Sequence, residues 1–291
     1  MSAPFKPTLT TTDWNEEWKQ LQKSRNHADS SEYWDARAAT FHQKDAPNSY
    51  VLGFIDHLGL QEGDTLFDMG CGNGALTVPL AGMGHHVISA DFSQGMLDAL
   101  DRSLTTKGLK KLVTSINMSW SDDWESQGIT ENCVDIAFAS RSIATDDLRD
   151  SLMRLNRVAR RRAAITLSTS MSPRIDEQIL VDLGIQAQMG KDFLYAFNIL
   201  AGEHFHPEVC YLKNDRHDRF DTLEEANASL ERMHANILAA TSERDHPTIN
   251  ANFDEWKAAN LIKDEDEGGT FWHLAKPRRT SWAFISWDTA L

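Results

Sequence analysis

Cysteine is scarce in this chain of 291 residues: Cys71, Cys133 and Cys210 are odd in number, far apart and without CxxC or Cys/His ligand spacing. That pattern gives no basis for a disulfide framework or a zinc site. Long apolar runs are missing as well. No stretch of about 18 apolar residues occurs, and the opening MSAPFKPTLTTTDWNEEW has no apolar signal region. A cytoplasmic protein with no membrane partner is expected. Positive charge is in deficit, with 29 Lys and Arg against 43 Asp and Glu and a formal net charge of −14. Such a surface repels a phosphate backbone, so nucleic acid is not an expected partner. Repeats and low-complexity tracts are also lacking.

What is present suits a folded domain. Hydrophobic residues make up 41% and charged residues 25%, ordinary values for a globular chain. After a Pro/Thr-rich arm, DWNEEWKQLQKS and SSEYWDARAATFHQK read as short amphipathic helices, and NSYVLGFIDHLGL as a third that stops near Gly59. Apolar, β-branched runs then alternate with helical patterns: TLFDM, HVISAD, LVTSINM, VDIAFAS and AAITLSTS are the strand candidates. This rhythm predicts parallel strands joined by crossover helices, a doubly wound sheet. A long helical stretch is expected over about 174–200, a strand at PEVCYLKN, a helix from DTLEEANASLERMHANIL with a capping box at Thr222 and Glu225, and a terminal strand. The organisation read from this is an N-terminal arm and helical cap at 1–60 and a core at 61–291, with a helical insertion at about 171–208.

The chemistry concentrates in LFDMGCGNGALTVPLAGMGHHVISADFS, residues 66–93. GCGNGA at 70–75 satisfies the relaxed dinucleotide fingerprint, so a nicotinamide-dependent oxidoreductase is one reading. Asp68, two residues before Gly70, weighs against it. A carboxylate under the turn repels a pyrophosphate and suits a ligand with positive charge. Asp91, closing the second strand, can accept both hydroxyls of a ribose. Pro79 falls inside the helix after the turn, where a bend is expected.

The D-x-G-x-G-x-G turn from Asp68 to Gly74, followed by DFSQGML at 91–97, resembles the class I S-adenosylmethionine-dependent methyltransferases of the small-molecule branch. The resemblance covers roughly residues 30–170. It implies an α/β fold with a doubly wound, seven-stranded, mostly parallel sheet whose last strand is antiparallel, under an N-terminal helical cap. It also implies S-adenosylmethionine as cofactor and S-adenosylhomocysteine as product. Carried over by position, Gly70, Cys71 and Gly72 would face the methionine part and ribose, with Asp68 near the ammonium or a supporting water. Asp91 would bind the ribose diol, Phe92 and Met96 would flank the adenine, and Ser119 and Trp120 would meet its edge. Ser140 would lie beside the methionine moiety. Tyr33, Arg37 and Phe41, in EYWDARAATF, are the cap residues expected to close over the cofactor, and Arg141 is a further substrate or cap candidate. Ser140 and Arg141 stand where metal-dependent catechol-type relatives present an aspartate, so no metal is expected.

The expected activity is in-line methyl transfer to a small-molecule acceptor. A non-catalytic S-adenosylmethionine-binding sensor or partner protein is the alternative, and a homodimer is compatible with either. No dedicated base is required for a soft nucleophile. A hydroxyl or carbon acceptor would want one, and Tyr195, His204 and His206 are the candidates, although HFH at 204–206 also reads as a plain loop. The arginines at 154, 157, 160, 161 and 162 read as a helix C-terminus complementing its dipole. Most of the nine tryptophans read as packing residues.

Overall fold

The strand-helix rhythm becomes a single large sheet in the computed structural model, which describes residues 9, 11–25, 30–38, 48–143, 145–169, 177–185 and 192–290. Three helices lead in: α1 (Trp14–Ser24), α2 (Ser31–Ala38) and α3 (Ser49–His57). Asp13 caps α1 by accepting from the N–H groups of Asn15 and Glu16, and Asn48 caps α3 through Val51 N. The core then runs β1 (Thr65–Met69), α4 (Thr77–Gly82), β2 (His86–Asp91), α5 (Gln94–Lys107), β3 (Val113–Asn117), β4 (Val134–Ser140), α6 (Leu148–Val158) and β5 (Ala159–Ser168). It continues through α7 (Glu177–Asp182), α8 (Asp192–Gly202) and β6 (Glu208–Arg216), then β7 (Arg219–Phe220), α9 (Leu223–Ala240), α10 (His246–Asn260), β8 (Leu261–Asp266), β9 (Gly269–Leu274) and β10 (Arg278–Asp288).

Seven strands lie in the order β3-β2-β1-β4-β5-β10-β6. The pairs from β3 to β5 are parallel, and β10 runs antiparallel to both β5 and β6. This is the doubly wound sheet with an antiparallel last strand that the sequence led us to expect. Successive residues of a strand face opposite sides, and both sides are covered. Leu66 packs with Val51, Phe54 and Leu80 of α3 and α4, whereas Phe67 belongs to the cluster with Trp18, Leu152 and Ile199 of α1, α6 and α8. The strands therefore read as continuous apolar runs instead of alternating ones.

Three local expectations are corrected. The helix after the glycine turn is only six residues long, and Pro79 sits in its first turn, where a proline is tolerated. It marks where an irregular turn becomes helix and need not bend one. The arginine run closes a helix only in part: Arg154 and Arg157 lie on α6, Arg157 in its last turn, but β5 begins at Ala159 and places Arg160, Arg161 and Arg162 in the strand. The helical stretch over 174–200 is, among the described residues, two separate helices, α7 and α8.

Residues 217–277 hold a second sheet not anticipated from the sequence, antiparallel in the order β7-β9-β8. Its apolar cluster joins Leu180, Leu230, Ile237, Ile249, Phe253 and Leu274, so α7 packs with α9 and α10. The strand LIKDED is exposed and charged, which explains why no apolar run announced it. Thr222 caps α9 through Glu225 N, and Glu225 accepts from Asp221 N, one residue before the position a regular capping box would use. No described helix is long and apolar enough to cross a membrane.

Candidate active site

β1 has β2 on one side and β4 on the other, so the connections leave in opposite directions and open a crevice at the strands' C-terminal ends. The glycine turn leaves β1 there. Gly70, Gly72 and Gly74 all have positive φ, at 76°, 54° and 88°, a region that disfavours any side chain. Two of the three are held by packing. A Cβ on Gly70 would lie 2.3 Å from Ser142 Cβ, and one on Gly74 2.4 Å from Leu100 Cδ1. Gly72 differs, because a Cβ there would meet nothing within 4 Å. Its bare backbone faces open space.

The turn is tied to the end of β2. Gly70 N and Cys71 N both donate to Ala90 O, at 2.7 and 3.0 Å, and Gly72 N donates to Asp91 Oδ2 at 2.8 Å. The other oxygen of Asp91 accepts from Ser93 N at 2.9 Å. Asp91 is buried, and burial raises its carboxyl above the usual range against the lowering effect of the Ser93 and Gly72 bonds. Ser93 caps α5 by accepting from Met96 N and donates its own proton to Asp35 of α2 at 2.6 Å. Asp35 also accepts from Gly95 N at 2.9 Å, and these two bonds lower its carboxyl below the ordinary range. Gly95 permits that docking, since a Cβ would lie 3.1 Å from Asp35 Cα. The cap helix is thereby linked to Asp91 through Ser93.

Asp68 lies beneath the turn and is buried. Thr77 donates to it at 2.7 Å and also bonds Ser89. Burial pushes the Asp68 carboxyl up to about 7, and neither Asp68 nor Asp91 forms an ion pair with a Lys or Arg among the described residues. Cys71 is buried and burial raises its thiol.

On the β4 side, Ser140 hydrogen-bonds Tyr50 Oη at 2.7 Å, and Tyr50 Oη bonds Thr166 at 2.8 Å. Burial pushes the Tyr50 phenol up. Arg141 has φ of 60°, and its N–H donates to Thr166 Oγ1. Ser142 donates to Met69 O at 2.6 Å, and Trp120 Nε1 donates to Ser142 O at 2.8 Å. The third wall is the β3 end, where Ser119 N donates to Asp122 and Met118 N to Asp91 O.

The structure thus brings Asp68, Gly70, Cys71, Gly72, Asp91, Trp120 and Ser140 around one crevice. Phe92 is 37% exposed but Met96 only 2%, so Met96 is corrected from a flanking surface to a core residue of α5. Tyr33 is half-buried on α2; the Arg37 side chain and Phe41 lie outside the described residues. The three base candidates are not gathered here. Tyr195 donates to Glu17 at 2.7 Å, edge-on to Trp14 and Trp18, and burial with that bond pushes its phenol up to about 12, too high for a base near neutrality. His204 and His206 are exposed just before β6, the edge strand, which β4, β5 and β10 separate from β1. At ~4.8 Å per neighbouring strand that is about 19 Å. Thr77, Ser89, Tyr50, Thr166 and Asp35 were missed in the sequence reading. Only Ser93 carried a local signal, as the cap position within DFSQGML.

Residues 66–162 match the family model for a methyltransferase domain. An uncharacterized protein of Haemophilus influenzae is 27% identical over 230 residues, 78% of this chain and 82% of that one. Among solved structures, the YcgJ protein of Bacillus subtilis is 12% identical with a TM-score of 0.49, covering 82% of this chain and 97% of that one. A geranyl diphosphate C-methyltransferase of Streptomyces coelicolor is 17% identical with a TM-score of 0.47, over 96% and 100%. At these identities and TM-scores no substrate or metal passes from those structures to this chain. The family match takes in the glycine turn, Asp91, Trp120 and Ser140, so the part of the sheet that frames the crevice, β1 to β4 and the start of β5, is similar to a methyltransferase domain.

Proposed function

We propose that the chain transfers a methyl group to a small-molecule acceptor by in-line displacement and without a metal. The observation that carries the site assignment is Asp91. Each of its oxygens accepts one backbone N–H, from Gly72 or Ser93, and a carboxylate has about four acceptor sites. The remainder suit the two hydroxyls of a ribose. The open backbone face of Gly72 supplies the cradle beside it. A pyrophosphate would need free N–H groups at this turn, but those of Gly70, Cys71, Gly72 and Gly74 are already donated within the protein.

When bound, S-adenosylmethionine supplies a methyl group on a positively charged sulfur. The cofactor's methionine arm also carries an ammonium, and Asp68 supports that charge from beneath the turn: burial raises its carboxyl to about 7 with no cation partner among the described residues, so an arriving positive charge favours its ionised form. Phe92 offers an exposed ring and Trp120 a half-buried one for the adenine. The remaining task of the chain is alignment and exclusion of water, worth on the order of 7–11 kcal/mol in well-oriented reactions. The α2 helix, held by Asp35 on Ser93 and Gly95, is placed to do this. Metal independence is supported by the exposed guanidinium at the rim, since Arg141 would repel a divalent cation.

A thermal-shift panel tests the reading. S-adenosylmethionine and S-adenosylhomocysteine are expected to raise the melting temperature, NADH to leave it unchanged, and EDTA to have no effect on the cofactor shift. Stabilisation by NADH alone would overturn the cofactor site, and loss of the shift in EDTA would overturn metal independence.

A further inference from the structure

Arg141 is held where few side chains sit. Its φ of 60° is in the left-handed region, which is strained for a long side chain and recurs at functional sites. The strain is held in place by a fully bonded network: Arg141 N donates to Thr166 Oγ1, which bonds Tyr50 Oη, which bonds Ser140. The guanidinium carbon lies 4.4 Å from the centroid of the Tyr50 ring and 5.7 Å from that of Trp282. Both rings are buried, so the head group is stacked on a rigid aromatic floor while Arg141 as a whole stays exposed.

Other arginines over rings provide the contrast. Arg25 over Trp18, Arg154 over Trp124 and Arg219 over Phe271 each also have a carboxylate, from Asp192, Asp150 and Asp266. Arg141 has none among the described residues, in a chain with 43 acidic side chains. Its neighbours Ser140 and Ser142 are both site-wall residues, and Ser142 ties to Met69 at the end of β1.

We infer that Arg141 binds an anionic group, a carboxylate or a phosphate ester, carried by the methyl acceptor. This rests on the methyltransferase reading above and narrows its acceptor to an acid. A planar guanidinium with a stacked face and no carboxylate partner among the described residues is suited to two-point recognition of such groups. It also offsets the repulsion that a net charge of −14 imposes on an approaching anion. The carboxylate of the cofactor's methionine arm has the same chemistry. The guanidinium, however, leans over Trp282 of β10, and β4 and β5 separate that strand from β1 and its glycine turn. That direction favours the acceptor.

The test uses the full chain loaded with S-adenosylhomocysteine and two probes, benzoate and inorganic phosphate, titrated calorimetrically into wild type, Arg141→Gln and Arg141→Lys. At least one probe is expected to bind wild type, to bind Arg141→Gln about tenfold or more weakly and to recover in Arg141→Lys, while S-adenosylhomocysteine affinity stays within about twofold. Circular dichroism and melting of both variants confirm that they fold. Failure of both probes to bind wild type, or equal binding to Arg141→Gln, overturns the inference. A tenfold loss of S-adenosylhomocysteine affinity in Arg141→Gln with probe binding unmoved also overturns it, because the anion would then be the cofactor's own. If wild type does not bind S-adenosylhomocysteine at all, the methyltransferase site itself fails, a result distinct from these.

Discussion

The two ends of the main sheet treat charge in opposite ways. At the N-terminal ends of the strands, carboxylates and guanidiniums are matched: Asp135 with Arg160 at 2.8 Å, Glu208 with Arg162 at 2.7 Å, and Asp64 with Arg161. At the C-terminal ends, Asp68 and Asp91 are buried against hydroxyl and backbone donors only, and Arg141 is stacked on rings without a carboxylate among the described residues. Burial without a counter-charge raises Asp68 and Asp91, while the bond from Arg160 holds Asp135 well below the usual carboxylate range. One end is electrostatically satisfied and serves stability. The other is left unmatched, and unmatched charge next to a crevice is what a charged ligand can complete.

The largest effect expected from breaking this contrast is at Asp91. In Asp91→Ala both acceptors for Gly72 N and Ser93 N are lost together with the proposed bonds to the two ribose hydroxyls, at about 1.5–3 kcal/mol per charge-assisted bond. S-adenosylhomocysteine affinity measured by calorimetry should fall by about 1,000-fold or more, and an unchanged affinity would falsify the assignment of Asp91 to the site.

Next comes Asp68→Asn, which should stabilise the cofactor-free protein. Burial pushes the folded carboxyl up to about 7, well above the usual carboxylate value of about 3.9 that it takes in the unfolded chain. The native state therefore holds a proton that the unfolded state has released, and stability falls as pH rises between those values. Asn cannot ionise, so urea denaturation at pH 8 should show a gain of up to about 4 kcal/mol that disappears below about pH 4. A gain independent of pH would mean that Asp68 is not strained by its own charge.

Asp135→Asn should give the smallest change and the opposite slope. Its folded carboxyl is lowered, so its contribution is present above the unfolded value and is lost as pH falls through the carboxylate range. Because the Arg160 pair is partly exposed, solvent screening limits the loss to about 1 kcal/mol at neutral pH. The same denaturation series checks it. Parallel slopes for the Asp68 and Asp135 variants would erase the distinction between the two ends.

Much of the fold was legible because its signals are local. Five apolar runs became β1 to β5, and Gly70, Gly72 and Gly74 marked the turn before any strand was placed. What stayed hidden depended on contacts between distant segments. Nothing near Thr77 announces that it supports Asp68, and Tyr50 and Thr166 meet at Ser140 across 116 residues of chain. The second sheet stayed hidden because β8 is exposed and largely charged and β7 is only two residues long. The base candidates failed for a related reason: Tyr195, His204 and His206 have suitable side chains, but a linear chain does not say which sheet edge they reach.

The sequence by itself determined the strand-helix alternation, the cofactor turn and the carboxylate at the end of β2, because backbone periodicity and positive-φ glycines are properties of neighbouring residues. Only the tertiary structure decided which glycine faces open space, which carboxylates go without a cation and where Arg141 points. Those properties are set by burial and by partners brought from elsewhere in the chain, and neither is encoded at any one position.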